Sequence, residues 1–210
     1  MPDYRQKGGK VVLKDSVLFL KTINSSAQVV SLALKFAEGN FTWEETDTYE
    51  YSLDRGKIDD VREGDESPLT CNFSGAFTHI FSTGTENVTP HEILRAQKYA
   101  EYNGSGVACA SFQGYREPWL SAADTCPPYA TELELHINPN FRCPAAQFFG
   151  EAMLFRYFRC ETLSADVSGG TISANGKCNI TAPMVQRVQF GYDKFVDAAP
   201  LTDWVADPRD

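Results

Sequence analysis

The stretch Leu69-Thr70-Cys71-Asn72-Phe73-Ser74-Gly75-Ala76-Phe77-Thr78-His79-Ile80-Phe81 decides the fold class. Its odd positions carry Leu69, Cys71, Phe73, Gly75, Phe77, His79 and Phe81, and its even positions carry mostly Thr, Asn and Ser until Ile80. Successive side chains of a strand point to opposite faces, so period two predicts a strand with one packed and one polar face. A second stretch repeats the pattern: Ile172, Ala174, Gly176, Cys178 and Ile180 alternate with Thr171, Ser173, Asn175, Lys177 and Asn179. Val29–Phe36, Thr48–Leu53 and Glu132–Ile137 alternate too, the last placing Glu132, Glu134 and His136 opposite Leu133, Leu135 and Ile137. Val11–Leu20 reads as a strand or hairpin, and Met153–Leu163 as a less regular strand.

One helix start stands out. Thr89-Pro90-His91-Glu92 offers a capping hydroxyl, a proline at the first helical position and a carboxylate three residues after the cap, predicting a helix over about 90–99. One helix among several strands predicts a mainly β chain: an antiparallel β-sandwich or rolled sheet with one packed helix and long loops. The segments 103–126 and 138–147 read as ordered loops or insertions. At 210 residues the chain has the length of a single domain, with a core that needs no staples.

The charge is uneven. The chain carries 28 acidic and 19 basic residues, a net −9. Between Glu44 and Glu66 ten acids face only Arg55, Lys57 and Arg62, which accounts for −7 of that charge. Such a stretch is either a solvated hairpin or a face that repels a polyanion. It is the opposite of what a chain gripping DNA phosphates by charge would carry. No apolar run approaches the ~20 residues that span a bilayer. Met1–Lys14 is polar and lacks the apolar core of a signal peptide, which weighs against export. Six of the nine asparagines open Asn-x-Ser/Thr triplets (24, 40, 72, 87, 103 and 179), the main argument for a secreted glycoprotein. Polar strand faces generate such triplets without any glycan, and that is the reading adopted.

The search for chemistry nominates no catalytic, cofactor or metal residues. The six cysteines (71, 109, 126, 143, 160 and 178) make no Cys-x-x-Cys pair. Cys71 and Cys178 fall on apolar strand faces and are expected as buried, reduced thiols, with Cys126 and Cys143 the exceptions to watch. His79 reads as a core residue, His91 as part of a first helical turn, and His136 as a polar-face residue. No phosphate-binding glycine loop or nucleophile elbow occurs, and acids of the 44–66 stretch lack a partner across a cleft.

Several blocks resemble one family. Gly39-Asn40-Phe41-Thr42-Trp43-Glu44-Glu45, Tyr51-Ser52-Leu53-Asp54-Arg55-Gly56 and Val61-Arg62-Glu63-Gly64-Asp65-Glu66-Ser67-Pro68-Leu69 resemble the first half of tail tube proteins of long-tailed, non-contractile bacteriophages. Pro128–Leu135 and Gly170–Asn179 resemble the second half, the order and spacing matching over roughly residues 10–190. The chain departs from the pattern near 100–125 and in 138–147. The resemblance implies a non-enzymatic virion protein, made in the host cytoplasm, that closes into hexameric rings. The rings stack into the tube through which double-stranded DNA passes without specific binding. Inner strands of neighbouring subunits join into one barrel, and the partners are other copies, the tail terminator, the tape measure and distal tail proteins, with no membrane.

Combining that implication with the alternation gives lumen candidates Glu44, Asp47, Glu50, Asn72, Ser74, Ser173 and Asn175. It makes 56–68 a long loop reaching an adjacent subunit, with candidates Ile58, Asp59, Asp60, Val61, Arg62, Glu63, Asp65 and Glu66, and Arg62 paired to a carboxylate. The polar ends, about 1–10 and 196–210, are read as arms docking on neighbours. The rival classes are a secreted, disulfide-bonded β-sandwich glycoprotein and a carbohydrate-binding module in which Trp43 and Trp119 stack on sugars.

Overall fold

A computed structural model describes residues 16–23, 29–35, 40–76, 89–91, 93–95, 130–137 and 148–190. These form ten strands: β1 (Ser16–Ile23), β2 (Val29–Lys35), β3 (Phe41–Glu44), β4 (Tyr49–Asp54), β5 (Lys57–Glu63), β6 (Leu69–Ala76), β7 (Thr131–Ile137), β8 (Phe148–Asp166), β9 (Thr171–Cys178) and β10 (Met184–Phe190). The chain is mainly β, all its described strand pairs are antiparallel, and one short helical stretch packs on the sheet. His79, Cys109, Trp119, Cys126, Cys143, the two arms and the segments 103–126 and 138–147 lie outside the described residues.

The main sheet runs β2-β1-β7-β8-β9-β6-β3, with β10 also on β8. It rolls far enough for β2 to approach β6 across the core. The inner face gathers Leu18, Leu20, Leu34, Leu69, Cys71, Phe73, Leu133, Leu135, Phe155, Phe158, Ala174 and Cys178. Phe155 anchors this core, with the rings of Phe41 and Trp43 at 5.0 and 5.8 Å. Residues 90, 91 and 93–95 are helical, Ile93 N–H donating to the Thr89 carbonyl at 3.2 Å, and Ile93 and Leu94 enter the core. The start matches the expected proline-opened turn; positions 96–99 of the expected helix lie outside the described residues.

β8 belongs to two panels. Its first half lies between β7 and β10, and its second half pairs with β9, which continues through β6 to β3. Two register shifts separate the halves. Between Phe155 and Phe158, β8 carries one residue more than β7, beside Tyr157 at φ 56°; between Cys160 and Thr162 it carries Glu161 as an extra residue against β9. Bulges of this kind bend a strand and raise its twist. Gly176 sits opposite the second one. A Cβ there would overlap the Arg159 carbonyl oxygen and come within 2.8 Å of the Phe158 ring.

Two expectations need correction. Glu132, Glu134 and His136 do not occupy an open polar face, because β7 is buried on both sides. Partners account for this. Lys21, itself 6% exposed, places Nζ 3.2 Å from Glu132 Oε2 and 3.1 Å from Glu134 Oε2, while His136 Nε2 lies 2.6 Å from Glu134 Oε1. The second correction concerns 56–68, expected as a long loop. Residues 57–63 are instead strand β5, paired only with β4 among the described strands. Arg55 (φ 48°) and Gly56 (φ 80°) join the two strands, the pair of positive φ angles that a type I′ hairpin turn requires.

Three stability outcomes follow from this geometry. Gly176→Ala should destabilise the fold by about 3 kcal/mol through enforced separation of β8 from β9. Lys21→Met should cost about 3–5 kcal/mol, because it leaves buried carboxylates short of their cation. Asp60→Asn, which removes a solvent-exposed ion pair on β5, should change stability by less than about 1 kcal/mol. Urea unfolding of the three variants measures all of these.

Candidate assembly surface

The second panel, β3-β6-β9-β8, carries its polar side chains in register. Thr42 pairs with Asn72, Asn72 with Asn175, and Asn175 with Thr162. In the next row Ser74 pairs with Ser173 and Ser173 with Ser164, and Asn40 joins through its backbone N–H, which donates to Ser74 Oγ at 3.1 Å. At roughly 4.8 Å between strands, each row is about 14 Å long. These residues line a shallow open trough of about 260 Å³.

No ionisable side chain lines the trough. Glu44, Lys177 and Arg159 stand in the row at one border, with Thr70 among them, and Asp166 pairs with Thr171 at the other. The Ser168 hydroxyl, 2.7 Å away, and the Gly169 and Ser168 amides hold the Asp166 carboxyl below the usual carboxylate range, keeping it ionised where β8 turns into β9.

The seven lumen candidates therefore divide. Asn72, Ser74, Ser173 and Asn175 come together at the centre of the trough. Glu44 shares their face at its border, Asp47 lies in the connection after β3, and Glu50 lies on the separate hairpin opposite Arg62. Sequence reading missed Asn40, Thr42, Thr162 and Ser164. Thr42 belongs to a four-residue strand and Asn40 directly precedes it, and the last two follow bulges that break the alternation of β8.

The panel has two edges with no described strand against them: the side of β3 away from β6, and the side of β8 away from β9 over Thr162–Asp166. Just before that edge opens, Arg95 donates to the Cys160 carbonyl at 3.0 Å and to the Glu161 carbonyl at 3.2 Å.

The β4–β5 hairpin is amphipathic, although all its residues are exposed. Ser52 and Leu53 pair with Asp60 and Ile58, so Asp59 is a bulge residue. One face carries Tyr49, Tyr51, Leu53, Ile58 and Val61, between 49% and 63% exposed. The other carries Glu50, Ser52, Asp60 and Arg62, with Arg62 Nε 2.9 Å from Asp60 Oδ2. Arg62 has its carboxylate within its own strand. Asp65 and Glu66 follow β5, where Gly64 N–H donates to the Thr48 carbonyl at 2.8 Å and Thr48 Oγ1 donates to the Asp65 carbonyl, closing the hairpin base.

Cys71 and Cys178 are buried thiols outside any disulfide, and Cys71 Sγ lies 3.6 Å from Cys178 Sγ in the core. The hydrogen bond with Cys71, then burial, push the Cys178 thiol well above its usual range. A thiol reagent at about pH 8 should leave both Cys71 and Cys178 unmodified in the folded protein and label them on unfolding, as read by peptide mass mapping.

Among the described residues no three His, Cys, Asp or Glu side chains are grouped to hold a metal, and no helix is long and apolar enough to cross a membrane. No protein-family profile matches the chain, and no curated protein is significantly similar to it.

Proposed function

We propose that this chain is the structural subunit of a phage tail tube, closing into hexameric rings that stack into a conduit for double-stranded DNA. One observation carries the reading: a four-strand antiparallel panel with a neutral polar trough and, among the described residues, no strand against either edge. Strand direction alternates across β3, β6, β9 and β8, so β3 and β8 run oppositely. The β8 edge of one copy set against the β3 edge of the next therefore continues the antiparallel order. A head-to-tail contact repeated by rotation closes a ring, and a closed barrel leaves no edge exposed. Each copy then contributes Asn72, Ser74, Ser173 and Asn175 to the wall.

A neutral lining suits passage better than binding. Every phosphate neutralised by Lys or Arg adds salt-dependent affinity, and the trough offers no cation at its centre. The chemistry asked of this face is hydrogen bonding to water and little else. The apolar face of the β4–β5 hairpin supplies a second contact, on a neighbouring copy, because an isolated two-stranded hairpin is marginal in water. The tail terminator, tape measure and distal tail proteins are partners on this reading through the same ring ends. The sugar-binding alternative draws less support. The Trp43 indole packs edge-on against Phe155 and donates to Glu45 Oε1 at 2.9 Å, so it is no free stacking platform beside the trough.

Negative-stain microscopy of the concentrated protein should reveal rings or tubes, with light scattering reporting an oligomer. A chain that remains monomeric at millimolar concentration overturns the proposal. Tyr51→Glu combined with Val61→Glu should yield folded monomer without tubes, since two charges would then be buried at the hairpin contact; unchanged tubes would remove the hairpin from the interface.

A further inference from the structure

We infer that Arg95 is the stop that determines where a neighbouring copy's strand ceases to pair along β8; the inference rests on the assembly reading above. In a regular antiparallel strand successive carbonyls point to opposite edges. At the bulge this order is interrupted, and the planar guanidinium of Arg95 donates to the two successive carbonyls of Cys160 and Glu161, at 3.0 and 3.2 Å. These carbonyls directly precede Thr162–Asp166, where no described strand lies against the side of β8 away from β9. An incoming strand meets carbonyls already occupied at 160 and 161, so pairing is confined to about the length of the four-residue β3. The match puts β3 of a second copy against residues 162–166, in antiparallel order and with its polar side chains on the trough face.

The side chain suits this task. Arg presents a rigid fork of donors that holds two acceptors at once, whereas Lys is a point donor on a flexible stem. Arg95 follows directly on Ile93 and Leu94, which are anchored in the core, so the fork is carried by a fixed turn. Limiting the register matters because a strand edge with no stop accepts partners at several offsets, and only one offset closes a ring.

The test compares full-length wild type, Arg95→Met and Arg95→Lys, each first shown to be folded by a cooperative thermal transition. Microscopy reads ring closure, and hydrogen exchange with mass spectrometry reads which β8 amides gain protection on assembly. Wild type should form rings of one diameter with new protection confined to 162–166. Arg95→Met should lose uniform rings in favour of open or mixed-size assemblies, with altered protection about 160–161, and Arg95→Lys should fall between the two. Wild-type rings matched in diameter and protection by both variants would overturn the role of Arg95 and leave the assembly reading standing. A wild type that never assembles would overturn both. Should Arg95→Met fail to fold, Arg95→Lys decides: rings and protection like those of wild type count against the stop.

Discussion

The approach of the Gly176 backbone to the Arg159 carbonyl determines how β9 lies on β8, and much of the molecule follows from it. β8 is 19 residues long and serves two panels. It can do so only by absorbing extra residues near Tyr157 and at Glu161, and the second bulge is tolerated because its neighbour has no side chain. Beyond it, Leu163 and Ala165 pair with the buried Ala174 and Ile172, and Thr162 and Ser164 complete the polar rows. One glycine thus connects the packing of the core to the composition of the opposite face.

Much of this was legible in the residues and some was not, for identifiable reasons. The alternation of Leu69–Ala76 and Thr171–Cys178 named their faces correctly, down to the buried thiols of Cys71 and Cys178. Cross-strand pairing then did the rest for Asn72, Ser74, Ser173 and Asn175, since residues sharing a face on adjacent strands must meet. Thr162 and Ser164 escaped because a bulge shifts parity by one and leaves no trace in hydrophobic periodicity. Glu132, Glu134 and His136 misled for another reason: alternation reports side-chain polarity, and a charged face becomes buried when a cation lies opposite. Lys21, 111 residues before Glu132 in the chain, was too remote for spacing to reveal. The hairpin was half legible. Tyr49, Tyr51 and Leu53 gave one strand, but the acidic run hid β5, in which only Ile58 and Val61 are aliphatic.

The buried cluster of Lys21, Glu132, Glu134 and His136 is best understood as a device for register. Replacing such groups with apolar residues of similar size is often neutral or stabilising, so ion pairing is a weak explanation of stability by itself. Its specificity is the stronger reason. Lys21 stands opposite Glu132 in the β1–β7 ladder, and a one-residue slip would place it on the other face, among Leu133 and Leu135, with no carboxylate in reach.

The β4–β5 hairpin has a kinetic consequence. Its own ladder is the only sheet contact described for it, and its five large apolar side chains face water. If it docks on a neighbouring copy as proposed above, a segment held this weakly in the single chain surrenders conformational freedom, so each early contact between subunits would be worth less than its area suggests. Once one neighbour has immobilised the hairpin, that entropic charge is already met for the next contact. On the assembly proposed above, growth would then be easier than initiation, and a pool of subunits would wait in solution until a preformed end offered the first seat.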